Sequence, residues 1–291
     1  MRKYINLPQL SILFVGLFLL SACAEAPKKE EKKEEKKEKV ESAPASEQII
    51  DEEVSFMLPS PIQIAAIFNR AGLEYKSGLT NNPTNVDKYN TKTSKYLNFG
   101  VYSADLAYAV LNNQQQAAID QLNAVKKMSD AIGMPNVFGG GDLIKSFESN
   151  IGNQDTILRI LTTIKRRTDE FLMENEEESK EAIFFSAAWV EGMYIGANST
   201  SGNAKVEPRL IEQMTILENI IKALRVQQDP SLDLNFLIDG LTNVYQTYND
   251  FENVRKFNQG EIELSAVKLS DSELSTLTNQ ITELRTQIVN G

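Results

Sequence analysis

From Ser60 to the C-terminus, apolar residues recur every three to four positions and almost nowhere at every second one. Because side chains share a helix face at a period of 3.6 and a strand face at a period of 2, that rhythm restricts the domain to α-helices packed on one another. Ser60-Pro61 starts the first stripe as a cap and first-turn pair. Ile62, Ala65, Ala66 and Phe68 follow until Gly72 stops the run. Val86, Tyr89, Thr93, Tyr96, Gly100, Ala104, Ala107 and Leu111 trace one long stripe ended by Asn112-Asn113. Later stripes run through Ala118 to Ile132, Ile157 to Phe171, Ile183 to Met193, Leu210 to Leu224 and Leu234 to Phe257, and the last is capped by Ser270 and runs to Ile288. The expectation is an all-α domain of eight or nine helices over residues 59–291, with Ile262 to Leu269 the one stretch that reads as a short strand.

The residues the chain lacks narrow its chemistry. It has no histidine and one cysteine, Cys23, which removes Ser-His-Asp and Cys-His catalysis, histidine-ligated haem, structural zinc and thiol redox chemistry. No metal and no cofactor is expected. The net charge is −10 and the one dense lysine run, Lys28 to Lys39, is interleaved with glutamate, so no basic face for nucleic acid is expected either.

The first residues have the form of a leader: a basic Arg2-Lys3, an apolar stretch from Ser11 to Leu20, then Leu20-Ser21-Ala22-Cys23. The apolar stretch falls short of the roughly 20 residues that cross a bilayer. Leu20-Ser21-Ala22-Cys23 resembles the lipobox of bacterial lipoproteins. That resemblance implies a signal peptide over 1–22, acylation of Cys23 with chains such as palmitate, and a membrane-anchored mature protein of the cell envelope. Ala24 stands where an aspartate is associated with inner-membrane retention, so the implied address is the outer membrane, facing either the periplasm or the cell surface.

Residues 23–58 are rich in Lys, Glu, Ala, Pro and Ser, a composition that cannot offset chain entropy by burial. Lys28, Lys32 and Lys36 would stack at four-residue spacing, where like charges repel, so the run is a poor helix. As a flexible tether of this length it would span roughly 30 to 35 Å and hold the domain clear of the lipid surface.

A shift of 92 residues aligns Gly100-Val101-Tyr102 with Gly192-Met193-Tyr194, and the stripe Ala118, Leu122, Val125 with Leu210, Met214, Leu217. An internal duplication with pseudo-repeats at about 84–152 and 177–258 follows from that register. Gln116 to Met128 also resembles the second helix of a tetratricopeptide hairpin, but the offset far exceeds that repeat's ~34 residues, so no family for the domain is implied.

Two constellations could carry function. Gly100/Ala104 and Ala188/Gly192/Gly196 put small residues on one face, which serves close helix packing and could also leave a groove walled by Tyr102, Tyr108, Trp189 and Tyr194. Asp105 and Glu191 lie beside those stripes and are the pair a glycoside hydrolase would need as acid and base or nucleophile. Asp229 to Asn235 alternates oxygen-bearing side chains but lacks the glycine and glutamate of a calcium loop, and reads better as a helix cap at Ser231 or Asp233. Gly139-Gly140-Gly141 lacks the Lys-Ser/Thr of a phosphate loop and reads as a hinge before a helix. The leading functional expectation is a non-catalytic, lipid-anchored module that binds an envelope protein or small ligand. The alternatives are a carboxylate-dependent glycan hydrolase and an apolar small-molecule carrier.

Overall fold

A computed structural model describes residues 60–199 and 204–291, all within a unit that spans 54–291. The stretches expected to be a signal peptide (1–22) and a tether (23–58), with Cys23 between them, lie outside the described residues. Among the described residues eleven α-helices follow one another: α1 (Pro61–Arg70), α2 (Lys92–Leu111), α3 (Gln115–Ala131), α4 (Asp142–Ser149), α5 (Gln154–Glu174), α6 (Glu181–Ala197), α7 (Glu207–Met214), α8 (Leu217–Arg225), α9 (Asn235–Asp250), α10 (Glu252–Asn258) and α11 (Asp271–Asn290). Four 3₁₀ turns join them, and no strand occurs among the described residues.

The chain is therefore all-α, as its periodicity dictates, with more helices than the expected eight or nine. A stripe gives the phase of a helix but not its breaks. The stripe from Leu210 to Leu224 is interrupted at Thr215, whose hydroxyl donates back to the Glu212 carbonyl at 2.7 Å. That from Leu234 to Phe257 breaks at Phe251, which is extended (φ −67°, ψ 140°) and ends α9 while starting α10. The long stripe from Val86 is likewise two elements: Pro83–Lys88 is a 3₁₀ turn, and α2 begins only after Thr91, whose hydroxyl accepts from the Ser94 N–H. Residues 262–269 hold a single 3₁₀ turn, Leu264–Ala266, instead of a strand.

Helices α2 and α6 form the centre, packed on each other, with α3 on α2, α1 across both, and α11 laid over α6 and onto α9. Both carry apolar residues all round, and burial on every side is the stable setting for such a helix. They are in close contact at Gly100, where a Cβ would stand 2.1 Å from the Phe184 carbonyl oxygen. The glycines of α6 serve a different neighbour: a Cβ on Gly192 would meet Ile64, and one on Gly196 would meet the Phe68 ring, each at 2.9 Å. Small residues here let α2 touch α6 and let α6 receive α1.

At the offset of 92 residues, α2 falls on α6, and α3 falls on α7 and α8 together, whereas α5 has no single counterpart. Gly139, Gly140 and Gly141 all have positive φ (59°, 64° and 97°) and form the bend that precedes α4.

Candidate functional site

The two carboxylates singled out from the sequence come together. Asp105 on α2 and Glu191 on α6 are both fully buried and close enough to hydrogen bond. The Asn81 N–H donates to Asp105 Oδ2 at 2.9 Å. Glu191 is gripped by Arg285 of α11, with Nε donating to Oε2 at 2.9 Å and Nη2 to Oε1 at 3.0 Å. Nη2 also donates to the Leu79 carbonyl at 3.2 Å, and the guanidinium lies 4.6 Å from the centre of the Tyr194 ring.

Two acids share one cation in this cluster. Burial first, and then the neighbouring Glu191 charge, hold the Asp105 carboxyl well above the usual carboxylate range. Oδ1 of Asp105 is buried without a hydrogen-bond partner, which also favours the protonated form of this carboxyl. Burial also pushes the Tyr89 and Tyr102 hydroxyls up, so both remain neutral donors. Tyr102 donates to the Asn82 carbonyl at 3.0 Å and Tyr89 to the Val289 carbonyl at 3.1 Å. Asn98 donates to the Ile288 carbonyl at 2.9 Å and Gln121 to the Asn81 carbonyl at 3.0 Å. The network ties the loop at 79–82 and the end of α11 to the central helices.

Glycoside hydrolysis needs two carboxyl groups separated by ~5 Å or more with the scissile bond between them. Asp105 and Glu191 instead lie inside the core, both fully buried among the described residues. The arrangement is suited to holding a proton and a fold.

The aromatic residues do not wall a cleft beside the glycines. Tyr102, Tyr108 and Trp189 are core residues and only Tyr194 is half-buried. The Tyr108 hydroxyl accepts from the Lys76 N–H at 2.8 Å, donates to the Glu74 carbonyl at 2.9 Å, and its ring stacks on Tyr75. Beside Gly192, Ala104 and Ala188 the free space is about 10 Å³, the scale of a single water. Residues Ile64 and Phe68 of α1 occupy the face where the groove was expected.

A larger concavity lies along α2 at Phe99, Ser103 and Leu106. It measures about 420 Å³ and is bounded by the first turn of α1, by α2, α3, α5 and α6. Its floor is Phe99, Leu106, Phe184 and Phe185, with Phe99 and Phe184 edge to face at 4.9 Å. Leu161 of α5 forms the far wall and is half-buried, because α5 stands off from the central pair instead of closing on it. That volume is within the range of small-molecule sites.

The polar groups around the groove are largely spent on the protein itself. Ser103 donates to the Phe99 carbonyl at 2.7 Å, Thr162 to the Leu158 carbonyl at 2.9 Å and Thr168 to the Ile164 carbonyl at 3.0 Å. Lys165 reaches Asp169 at 2.8 Å and Glu181 at 3.3 Å. Burial works to lower the Lys165 ammonium, but these two carboxylates outweigh it and hold the group above its ordinary value.

The polar loop at Asp229 carries no calcium-like geometry. Its carboxylate accepts from Lys92 at 2.7 Å and from the Ser231 N–H at 2.9 Å, which pulls it well below the usual range. The α9 helix starts later than the expected caps at Ser231 or Asp233, after Leu234. Among the described residues no cluster of three or more acidic or thiol side chains could hold a metal ion, and no helix is long and apolar enough to cross a membrane.

Sequence reasoning missed Arg285, Asn81 and the groove. Arg285 had a signal: it falls four residues after Ile281 and three before Ile288, on the buried stripe of α11, where a charge demands a partner. The groove had none, since the stand-off of α5 is a property of packing. No family model, no curated protein and no solved structure matches the chain.

Proposed function

We propose that this protein is a non-catalytic binding module, held to the outer membrane by lipid on Cys23, whose groove between α1, α2, α3, α5 and α6 takes an apolar small ligand. The observation that carries this reading is a space of about 420 Å³ whose floor is four apolar side chains and whose polar rim is already hydrogen bonded internally. Such a site gains by removing apolar surface from water and offers no convergent set of acid, base and nucleophile. A partner-protein scaffold has less support, because among the described residues the large apolar side chains left exposed are Met173 and Val226, on separate elements. Isolated exposed apolar residues are ordinary on a protein surface.

The test is binding of N-phenyl-1-naphthylamine, a neutral dye that fluoresces in apolar surroundings, to the chain and to its Leu161→Trp variant. The indole fills the groove from its half-buried wall, so the dye's Kd rises at least tenfold while the fold is retained by circular dichroism. Equal affinity for the two proteins would remove the groove from consideration.

A further inference from the structure

The charges of the groove are gathered at one end. Glu181 stands one turn before Phe184, whose ring meets Phe99, while Leu106 and Ala107 lie about 10 to 12 Å farther along α2. An apolar body laid on the floor between Phe99 and Ala107 therefore presents one end to Lys165, Asp169 and Glu181, the charged side chains that line the groove.

The donors at that end are already committed. An ammonium has three N–H groups, and Lys165 reaches both oxygens of Asp169, at 2.9 and 2.8 Å, and Oε1 of Glu181 at 3.3 Å. Ser103, Thr162 and Thr168 likewise give their hydroxyl hydrogens to carbonyls of their own helices, which leaves them lone pairs to offer. The carboxylates are in the opposite position. Each can accept about four hydrogen bonds, and among the described residues Asp169 receives two and Glu181 one, the longest of the set. Two negative charges face one positive, and the three side chains are between 41 and 44% exposed, within reach of a ligand.

Given the groove as a ligand site, on which the rest depends, we propose that its ligand is an amphiphilic primary amine, with its ammonium held by Glu181 and Asp169 and its apolar body on Phe99, Leu106, Phe184 and Phe185. Spare acceptors select for N–H donors as well as for charge. A primary ammonium brings three such donors, a quaternary ammonium of the same charge brings none, and a hydroxyl brings one without the charge. A charge-assisted hydrogen bond is roughly twice as strong as a neutral one, so the amine outranks the alcohol.

The test is displacement of N-phenyl-1-naphthylamine from the full chain at pH 7 by dodecylamine, dodecyltrimethylammonium and dodecanol, each below its micelle-forming concentration. Dodecylamine is expected to displace the dye at a concentration at least ten times lower than either of the others. Glu181→Gln brings the rim to zero net charge and is expected to cut that advantage over dodecanol to threefold or less, with dodecanol itself unchanged. Glu283→Gln removes an exposed charge of α11 outside the groove and is expected to leave the advantage at tenfold or more. Dodecylamine no better than dodecanol, parity with dodecyltrimethylammonium, or an advantage that the two variants change alike would each overturn the amine, the last two because a general attraction of cations to an acidic chain produces them. Failure of the groove itself is read separately. A dye bound alike by the native chain and by Leu161→Trp removes the ligand site and the amine with it, whereas a dye that Leu161→Trp excludes and dodecylamine displaces no better than dodecanol removes the amine alone.

Discussion

Arg285 closes on Glu191 with two nitrogens, Nε at 2.9 Å and Nη2 at 3.0 Å, so the penultimate turns of the closing helix are fastened to the middle of the central one. Glu191 is fully buried and the Arg285 side chain is nearly so, which makes the pair costly to split. Removing one partner of a buried ion pair leaves an uncompensated charge and costs about 3–5 kcal/mol. Arg285→Met is expected to destabilise the protein by that amount in urea titration. Arg285→Lys is expected to recover only part of it, because an ammonium cannot span both carboxylate oxygens. A loss below about 1 kcal/mol for Arg285→Met would show that α11 is held by its apolar stripe alone.

The proton on Asp105 gives the fold a pH dependence of unusual sign for a carboxylate. Its folded value is raised, so the stabilisation is fully present below the ordinary value of 3.8. Above that, the unfolded chain releases a proton that the folded chain keeps, and this contribution declines as pH rises toward the folded value. Each pH unit in that window costs about 1.4 kcal/mol. Asp105→Asn replaces the protonated acid with a neutral group that can accept from Asn81 and donate to Glu191. At pH 8 the variant is therefore expected to be more stable than the native protein by at least ~1 kcal/mol, and near pH 4 the advantage is expected to vanish. Destabilisation at both pH values would count against a proton on Asp105.

Gly100 and Gly192 occupy equivalent places at the 92-residue offset but face different obstacles. A methyl on Gly100 meets backbone, the Phe184 carbonyl at 2.1 Å, so α2 and α6 must part to admit it. A methyl on Gly192 meets the Ile64 side chain at 2.9 Å, which can shift on its rotamer. Overpacking of a core costs about 1–3 kcal/mol and occasionally more. Gly100→Ala is expected at or beyond the top of that range and Gly192→Ala near the bottom, as read from thermal melts of the two variants.

These contrasts mark what a sequence carries. The 3.6-residue rhythm identifies every long helix because burial imposes it directly, and the carboxylates at 105 and 191 stand out because each interrupts an apolar stripe. The start of α2 was hidden because Val86 and Tyr89 happen to keep the phase of the helix that begins after Thr91, while the backbone between them is extended. The aromatic groove was misplaced because a glycine stripe records that something approaches closely without saying what. Here the visitor beside Gly192 and Gly196 is α1. The real concavity depends on how far α5 stands from α2 and α6, a distance set by its neighbours at both ends and written in no local motif.

The charge at the groove's rim predicts which apolar ligands it prefers. Lys165 is the one cation among the lining residues, and it is already committed to Asp169 and Glu181, so the rim carries one positive charge against two negative ones. An anionic head group gains no free partner there and meets a small net repulsion, whereas a hydroxyl meets none. Displacement of N-phenyl-1-naphthylamine by dodecanol is therefore expected at lower concentration than by dodecanoate. The gap should narrow in added salt, since rim charges exposed to solvent are screened over ~10 Å at 0.1 M. If dodecanoate were the stronger competitor, Lys165 would have to leave its carboxylates to bind it, and the groove would belong to fatty acids instead of neutral apolar molecules.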